Sequence, residues 1–258
     1  MKYIRILLLI ALLTISFTSC SEPDNPNGDI EPEQNHVNTQ DTTQDTTDPN
    51  KNSKYNLEGE TIENIITYFN EVCLDAEFIN SGNPTLVQKW NAPIKYFIHG
   101  QYTDEDISVL NNFVSWLNKI DGFPGMYPSQ NASDANMQIY FTDQQGMVDI
   151  LGDNFYGLDG GTTFWYNDNN EIYTADICYR TDIDQITRNS VILEEIYNCL
   201  GPIQDTDLRL DSIIYSGFST PQELTKVDQL ILKLLYHPNI LCGMNSSQCE
   251  NIIREIFQ

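Results

Sequence analysis

Three stretches of the chain carry apolar residues at the spacing of an amphipathic helix. In GETIENIITYFNEVCLDAEF, which predicts the first helix, these positions are Ile62, Ile65, Ile66, Phe69, Val72 and Cys73. A second helix is predicted to begin at a capping box formed by Thr103 and Asp106 and to run to Ile120. In the third, Ile192 and Ile196 belong to one apolar row, and the Gly-Pro pair at 201–202 ends the helix.

Runs rich in β-branched and aromatic residues lie between these helices. A strand is predicted from Ile94 to Ile98 and another in NMQIYFTD, while residues 122–136 are predicted to form a loop and QQGMVDILG a short helix or turn. GGTTFWYNDNNEIYTADICYR is typical of a hairpin whose turn is NDNN. Helices and strands in this order predict an α+β domain with a mixed sheet.

The amino-terminal residues have a different pattern. Lys2 and Arg5 precede an apolar run from Ile6 to Phe17, which is too short to cross a bilayer and is typical of an export signal over residues 1–19. Residues 20–54 are rich in Asp, Glu, Asn, Thr and Pro and contain few large apolar residues, so we expect a disordered acidic tether. The folded domain is therefore predicted to span residues 55–258.

The end of the signal run contains a cysteine in a familiar setting. Thr18 and Ser19 precede Cys20, and SFTSC resembles the cleavage site of bacterial lipoprotein signals. The resemblance implies acylation of Cys20 and a lipid-anchored protein of the bacterial cell envelope, at the periplasmic or surface face of the outer membrane. The alternative is an ordinary signal peptide with a chance cysteine.

The charge of the chain limits its partners. With 37 acidic residues against 13 basic ones, the formal net charge is −24. Such a balance argues against binding to nucleic acid and to anionic lipid surfaces. It leaves solubility or cationic ligands as explanations, and the plentiful aromatic residues are compatible with a peptide, protein or glycan ligand.

Five cysteines follow Cys20, and export would permit disulfides between them. The compact segment CGMNSSQC favours a Cys242–Cys249 pair. Cys178 and Cys199 could form a second pair, and Cys73 lies on an apolar helix face. None of these spacings is that of a metal site, and we predict no cofactor and no bound metal.

Polar residues interrupt the apolar helix LEEIYNCLG. Glu194 and Asn198 are one turn apart on the same face, and Glu195 lies beside them. Because the rest of this helix is apolar enough to be buried, the polar side chains should line a cleft or be paired internally. For Glu195 we expect backbone donors or an arginine as partner, from the set Arg180, Arg188 and Arg209.

The chain resembles the zincin metalloproteases, and more closely a bacterial family of exported zincin-like domains of unknown function. The resemblance rests on KWNAPIKYFIHG, AEF, EEIYNCLG, DSIIY and LTKVDQLILKLLYHPNILCGM, and on the hairpin and edge strand before the helix. It implies an α+β fold with a zincin-like mixed sheet, a long active-site-type helix and C-terminal helices.

The resemblance also assigns roles to individual residues. Glu195 falls at the general base, Glu194 and Asn198 at the two histidine ligands, Gln204 at a possible third ligand and Ile214 at the methionine below the metal. A carboxylate and two amides are a poor set for zinc, so we predict a non-catalytic domain with a binding or structural role. The alternative is a divergent hydrolase or peptidase that uses Glu195 as general base.

A third possibility is a calcium site, because hard oxygen ligands are available at Glu194, Asn198, Asp205 and Asp207. Their spacing is not that of a known calcium loop.

Overall fold

A computed structural model describes residues 4–5, 55–74 and 86–258 of the chain. The proposed lipidation site Cys20, the tether and all but two residues of the signal peptide lie outside the described residues. So does the segment AEF of the zincin resemblance. Among the described residues, no helix combines the length and apolar character needed to cross a membrane.

The described residues form six α-helices. Their bounds are α1 Ile62–Leu74, α2 Asp104–Leu117, α3 Gln144–Leu151, α4 Gln185–Cys199, α5 Lys226–Leu235 and α6 Ser246–Ile256. Helix α2 begins at the predicted capping box, in which the Thr103 hydroxyl accepts from the Asp106 amide and the Asp106 carboxylate accepts from the Thr103 amide. The three helices predicted from amphipathic spacing are therefore present, as α1, α2 and α4.

The strands form one mixed sheet. Their bounds are β1 Ile4–Arg5, β2 Lys89–Trp90, β3 Ile94–Gly100, β4 Met126–Pro128, β5 Met137–Thr142, β6 Gly160–Tyr166 and β7 Glu171–Arg180. The order in the sheet is β1-β6-β7-β5-β3-β4, and β2 also pairs with β7. Strands β3, β4, β5 and β7 are parallel to one another, whereas β6 is antiparallel to β7 and forms the predicted hairpin with it. The prediction of an α+β fold with a mixed sheet is confirmed.

The two faces of the sheet are covered differently. Inward residues such as Ile98, Ile139 and Ile177 face one large apolar core that includes residues of α1, α2, α4, α5 and α6. On the other face, a small cluster of Met147, Leu151, Phe155 and Cys178 lies under α3. Alternation along β3 and β5 therefore puts His99, which pairs in register with Tyr140, on the face opposite α4.

One local prediction was wrong. Residues 122–136 are not entirely loop, because Met126–Pro128 adds a short edge strand parallel to β3. The segment CGMNSSQC contains the beginning of α6. Asn245 caps α6 through its side chain, which accepts from the Gln248 amide, so Cys249 lies inside a helix. Three paired residues are too few to show a period in the sequence, and a cap residue within a polar stretch gives a weak signal.

Candidate functional site

Helix α4 is fixed at both ends by side chains from other elements. At its beginning Asp184 accepts from the Thr187 amide, and Arg188 forms a buried ion pair of 2.8 Å with Asp106 of α2. At its end the Cys199 carbonyl accepts from the Trp90 indole at 2.9 Å, and the Leu200 carbonyl accepts from the Tyr236 hydroxyl at 2.8 Å. The carbonyls that a helix terminus leaves unsatisfied are thus bonded within the core.

The glycine of the motif has a steric role. Gly201 has a φ of +127°, and a Cβ at this position would lie 2.4 Å from the carbonyl oxygen of Gln88. Only glycine combines this backbone conformation with such a close approach. The turn directs the chain from α4 into the loop that contains Gln204 and Asp205.

The structure places Glu195 of α4 in contact with the hairpin. Glu195 is 5% exposed and Asn198 is 1% exposed, whereas Glu194 is half-buried. A Cβ at Gly160, the first residue of β6, would lie 3.2 Å from Cγ of Glu195. The Thr162 hydroxyl donates to the backbone carbonyl of Glu195 at 3.1 Å. Glu195 therefore lies directly under the beginning of β6.

The other residues of the zincin assignment lie after the helix. Gln204 is half-buried, and its backbone N–H donates to the Val72 carbonyl. Ile214 is fully buried, and its carbonyl accepts from the Thr206 amide at 2.9 Å. This bond and a parallel bridge between Thr206 and Tyr215 hold the segment DSIIY against the loop that follows α4.

Burial and neighbouring acids raise the pKa of Glu195. Desolvation is the largest cause, the negative charge of Asp205 adds to it, and a hydrogen bond from Thr162 opposes it, so that the pKa rises from 4.5 to about 8. The Glu195 carboxyl group is therefore mostly protonated at neutral pH. The acid also acts on the buried Cys178 and Tyr179 of β7, and both of their pKa values are raised, chiefly by burial.

Glu194 has surroundings of the same sign. Its pKa is raised well above the usual range by burial first, and then by the charges of Glu195, Asp205 and Asp159. Asp159 immediately precedes β6 and has its own pKa raised, mainly by burial. Sequence reasoning missed Asp159 and Thr162, although both flank the GG pair that begins the hairpin. They are far from α4 in sequence, and only the folding of the sheet brings them next to it.

The prediction that Arg180, Arg188 or Arg209 could pair with Glu195 is wrong. Arg180, the last residue of β7, pairs with Asp159 and Asp182. Arg188 lies on α4 itself and pairs with Asp106. Arg209 pairs with Glu60 and Asp211. Each candidate arginine is thus engaged by other carboxylates, and Glu195 lies among acids instead.

The side chains near Glu195 do not form a zinc site. Among the residues that the structure describes, no three His, Cys, Asp or Glu side chains are grouped so that they could hold a metal ion. His99 lies on the opposite face of the sheet, where its ring bonds Gln138 at 2.7 Å, and His237 stacks edge-on against Tyr55. Glu194, Glu195 and Asn198 offer two carboxyl groups and one amide, a set without the imidazole or thiolate that zinc prefers.

The outer edge of β6 is the second component of the candidate site. On one side β6 is paired with β7, and on the other, within the described residues, it is paired with β1. This second pairing is antiparallel and joins Ile4 with Phe164 and Arg5 with Thr163. The edge of β6 beside α4 therefore accepts an extended segment.

Cys242 and Cys249 lie away from this site, and the five cysteines of the described residues are thiols in the structure. Cys249 is buried, and half-buried Cys242 donates to the Lys89 carbonyl at 3.6 Å. The Lys89 ammonium donates to the carbonyls of Leu235 and Ile240, and burial lowers its pKa to about 8. Because both thiols act electrostatically on Lys89, they share one neighbourhood. The Cys242–Cys249 disulfide stays a prediction.

Comparison with curated proteins finds no match. A family model does match, over residues 62–255, a range that begins with the first residue of α1 and ends in the last turn of α6. The match covers helix α4, the loop after it and every strand of the sheet except β1. Its description is Protein of unknown function (DUF2927), and the chain belongs to this family.

Proposed function

We propose that this protein is a lipid-anchored component of the bacterial cell envelope whose zincin-like domain binds an extended peptide without cleaving it. The peptide would lie along β6 and over the polar face of α4. The lipid anchor rests on the sequence around Cys20, and the zincin-like assignment rests on the order of hairpin, edge strand and E-x-x-x-x-x-G helix.

The observation that carries the proposal is the edge of β6. A strand edge offers unpaired N–H and C=O groups to any extended chain, and peptide-binding domains use this mode of β-augmentation. The residues that pair with this edge, Ile4 and Arg5, belong to the predicted signal peptide. Cleavage before Cys20 would remove them and leave the edge available to a ligand.

The absence of hydrolysis is inferred from the residues at the ligand positions. Glu194, Asn198 and Gln204 do not supply imidazole, and without a metal to acidify water there is no strong nucleophile for Glu195 to assist. In addition, a Glu195 carboxyl group with a pKa of about 8 holds its proton at neutral pH and cannot accept another.

Affinity selection from a pool of capped random nonapeptides would test the proposal. We expect bound peptides to share extended, β-prone sequences, and their alternately N-methylated analogues to lose binding. N-methylation of every second amide removes the donors along one edge of a strand and obstructs pairing. Failure to select any peptide, or equal binding of the N-methylated analogues, would contradict strand addition.

A second candidate function is a divergent hydrolase or peptidase that uses Glu195. The raised pKa favours it, since general acids and bases work best when their pKa lies near the working pH. With this pKa, Glu195 would act as a base mainly above pH 8. Peptide hydrolysis that rises through this pH and is lost in Glu195→Gln would establish the hydrolase.

A further inference from the structure

The polar face of α4 contains a buried amide without a partner. Asn198 is 1% exposed, and neither Nδ2 nor Oδ1 of its side chain has a hydrogen-bond partner among the described residues. Leaving such a group unsatisfied costs about 1–3 kcal/mol. Helical spacing puts this side chain one turn beyond Glu194 and on the same face as Glu195. The helix therefore carries an unsatisfied amide on the same face as the two carboxyl groups.

The charges that act on Glu194 are of one sign. The ionisable groups that act on Glu194 are Glu195, Asp205 and Asp159, and all of them are acids. Arg180 pairs with one of these acids, Asp159, at 3.4 Å, and it is also engaged by Asp182 at 2.9 Å. Buried carboxyl groups of like charge are stable together only if some of them keep a proton or gain a cation.

These two features limit the chemistry of a ligand. An anionic group would be repelled by the acids, and an apolar group would leave the Asn198 amide unsatisfied. A metal ion would need a set of ligands that the described residues do not provide. A cation that carries N–H donors satisfies both, because it neutralises carboxylates and donates to Asn198 Oδ1.

We propose that the domain selects peptides that carry one basic side chain. This side chain enters the face formed by Glu194, Glu195 and Asn198, where the negative charge of Asp205 also attracts it. This inference rests on the proposed peptide binding and names the class of peptide. The backbone of the peptide pairs with β6, and the basic side chain reaches α4 where Gly160 and Thr162 contact Glu195.

Arginine fits this face better than lysine. Its guanidinium keeps its charge when buried and presents five N–H donors in a planar fork, which can serve a carboxylate and an amide oxygen together. An ammonium group is more strongly hydrated and loses its proton more readily when buried. We therefore expect arginine, then lysine, then neutral side chains.

Titration calorimetry with four capped nonapeptides at neutral pH tests the inference. The peptides are identical except for a central arginine, lysine, citrulline or norleucine, because citrulline keeps the shape of arginine without its charge. The purified mature chain, which begins at Cys20 and lacks the signal peptide, is compared with Glu194→Gln, Asn198→Leu and the control Glu255→Gln. Glu255 lies exposed on α6, and its replacement removes the same charge from the chain.

We expect the arginine peptide to bind at least about 10-fold more tightly than the citrulline peptide. This ratio should shrink several-fold in Glu194→Gln and Asn198→Leu but not in Glu255→Gln. Equal binding of the arginine and citrulline peptides, with both still sensitive to backbone N-methylation, would overturn the basic preference and leave peptide binding standing. A preference that persists unchanged in Glu194→Gln would also overturn it. If none of the peptides binds, the peptide-binding function itself is wrong.

Discussion

Glu195→Gln should stabilise the protein, and the gain should grow with pH. Glutamine has the shape of the protonated glutamate and cannot ionise, so it fits the surroundings that raise the pKa of Glu195 to about 8. Below about pH 4.5 the carboxyl group is protonated in both the folded and the unfolded chain, and its ionisation contributes no difference. Between pH 4.5 and 8 the unfolded chain releases the proton while the folded chain holds it, so the wild type loses stability as the pH rises.

The magnitude follows from the same linkage. Each pH unit within this window is worth at most about 1.4 kcal/mol for one proton, so raising the pH from 5 to 7 should lower the unfolding free energy of the wild type by at most about 3 kcal/mol relative to Glu195→Gln. Glu195 is almost fully buried, so solvent screening reduces this figure little. The difference also contains the relief of repulsion on Glu194.

Urea unfolding at several pH values, followed by circular dichroism, measures this difference directly. The control Glu255→Gln changes an exposed residue and should stay within about 0.5 kcal/mol of the wild type at each pH. A gap between the wild type and Glu195→Gln that does not change with pH would refute the reasoning. So would a gap that favours the wild type more strongly as the pH rises.

Four other predictions follow from the same residues. Cys20→Ser should abolish metabolic labelling with fatty acid, and continued labelling would refute the lipid anchor. Mass mapping of non-reduced peptides from the native envelope should find Cys242 linked to Cys249, whereas two thiols would contradict the pair. Asn198→Leu should raise the unfolding free energy by about 1–3 kcal/mol, since it replaces an unpaired buried amide by an apolar side chain, and a marked loss would show that the amide is satisfied in solution. The purified protein should contain no stoichiometric zinc and should not unfold with chelators; one tightly bound zinc per chain would contradict this.

The fold could be predicted from the sequence wherever local signals were strong. The capping box at Thr103, the hairpin turn NDNN and the stop at Gly201 each act through a few neighbouring residues, and each has its predicted effect in the structure. The short strand Met126–Pro128 escaped prediction because its pairing with β3 depends on tertiary contacts.

The candidate site was predictable only in part. Helical spacing brought Glu194, Glu195 and Asn198 to one face, and the structure agrees. The partner of Glu195 could not be inferred, because which acid each arginine meets depends on the packing of distant elements. Arg188 meets Asp106 across the α2–α4 contact, and Asp205 approaches α4 only after the turn at Gly201.

The central claim is that the domain binds an extended peptide with a basic side chain and leaves it intact. Calorimetric titration of the purified protein with the arginine nonapeptide tests both parts together when the peptide is afterwards recovered from the calorimeter and its mass is measured. The account predicts saturable binding and recovery of the peptide at its original mass. Cleaved peptide would contradict the non-catalytic assignment, and heat changes no larger than those of dilution would contradict peptide binding.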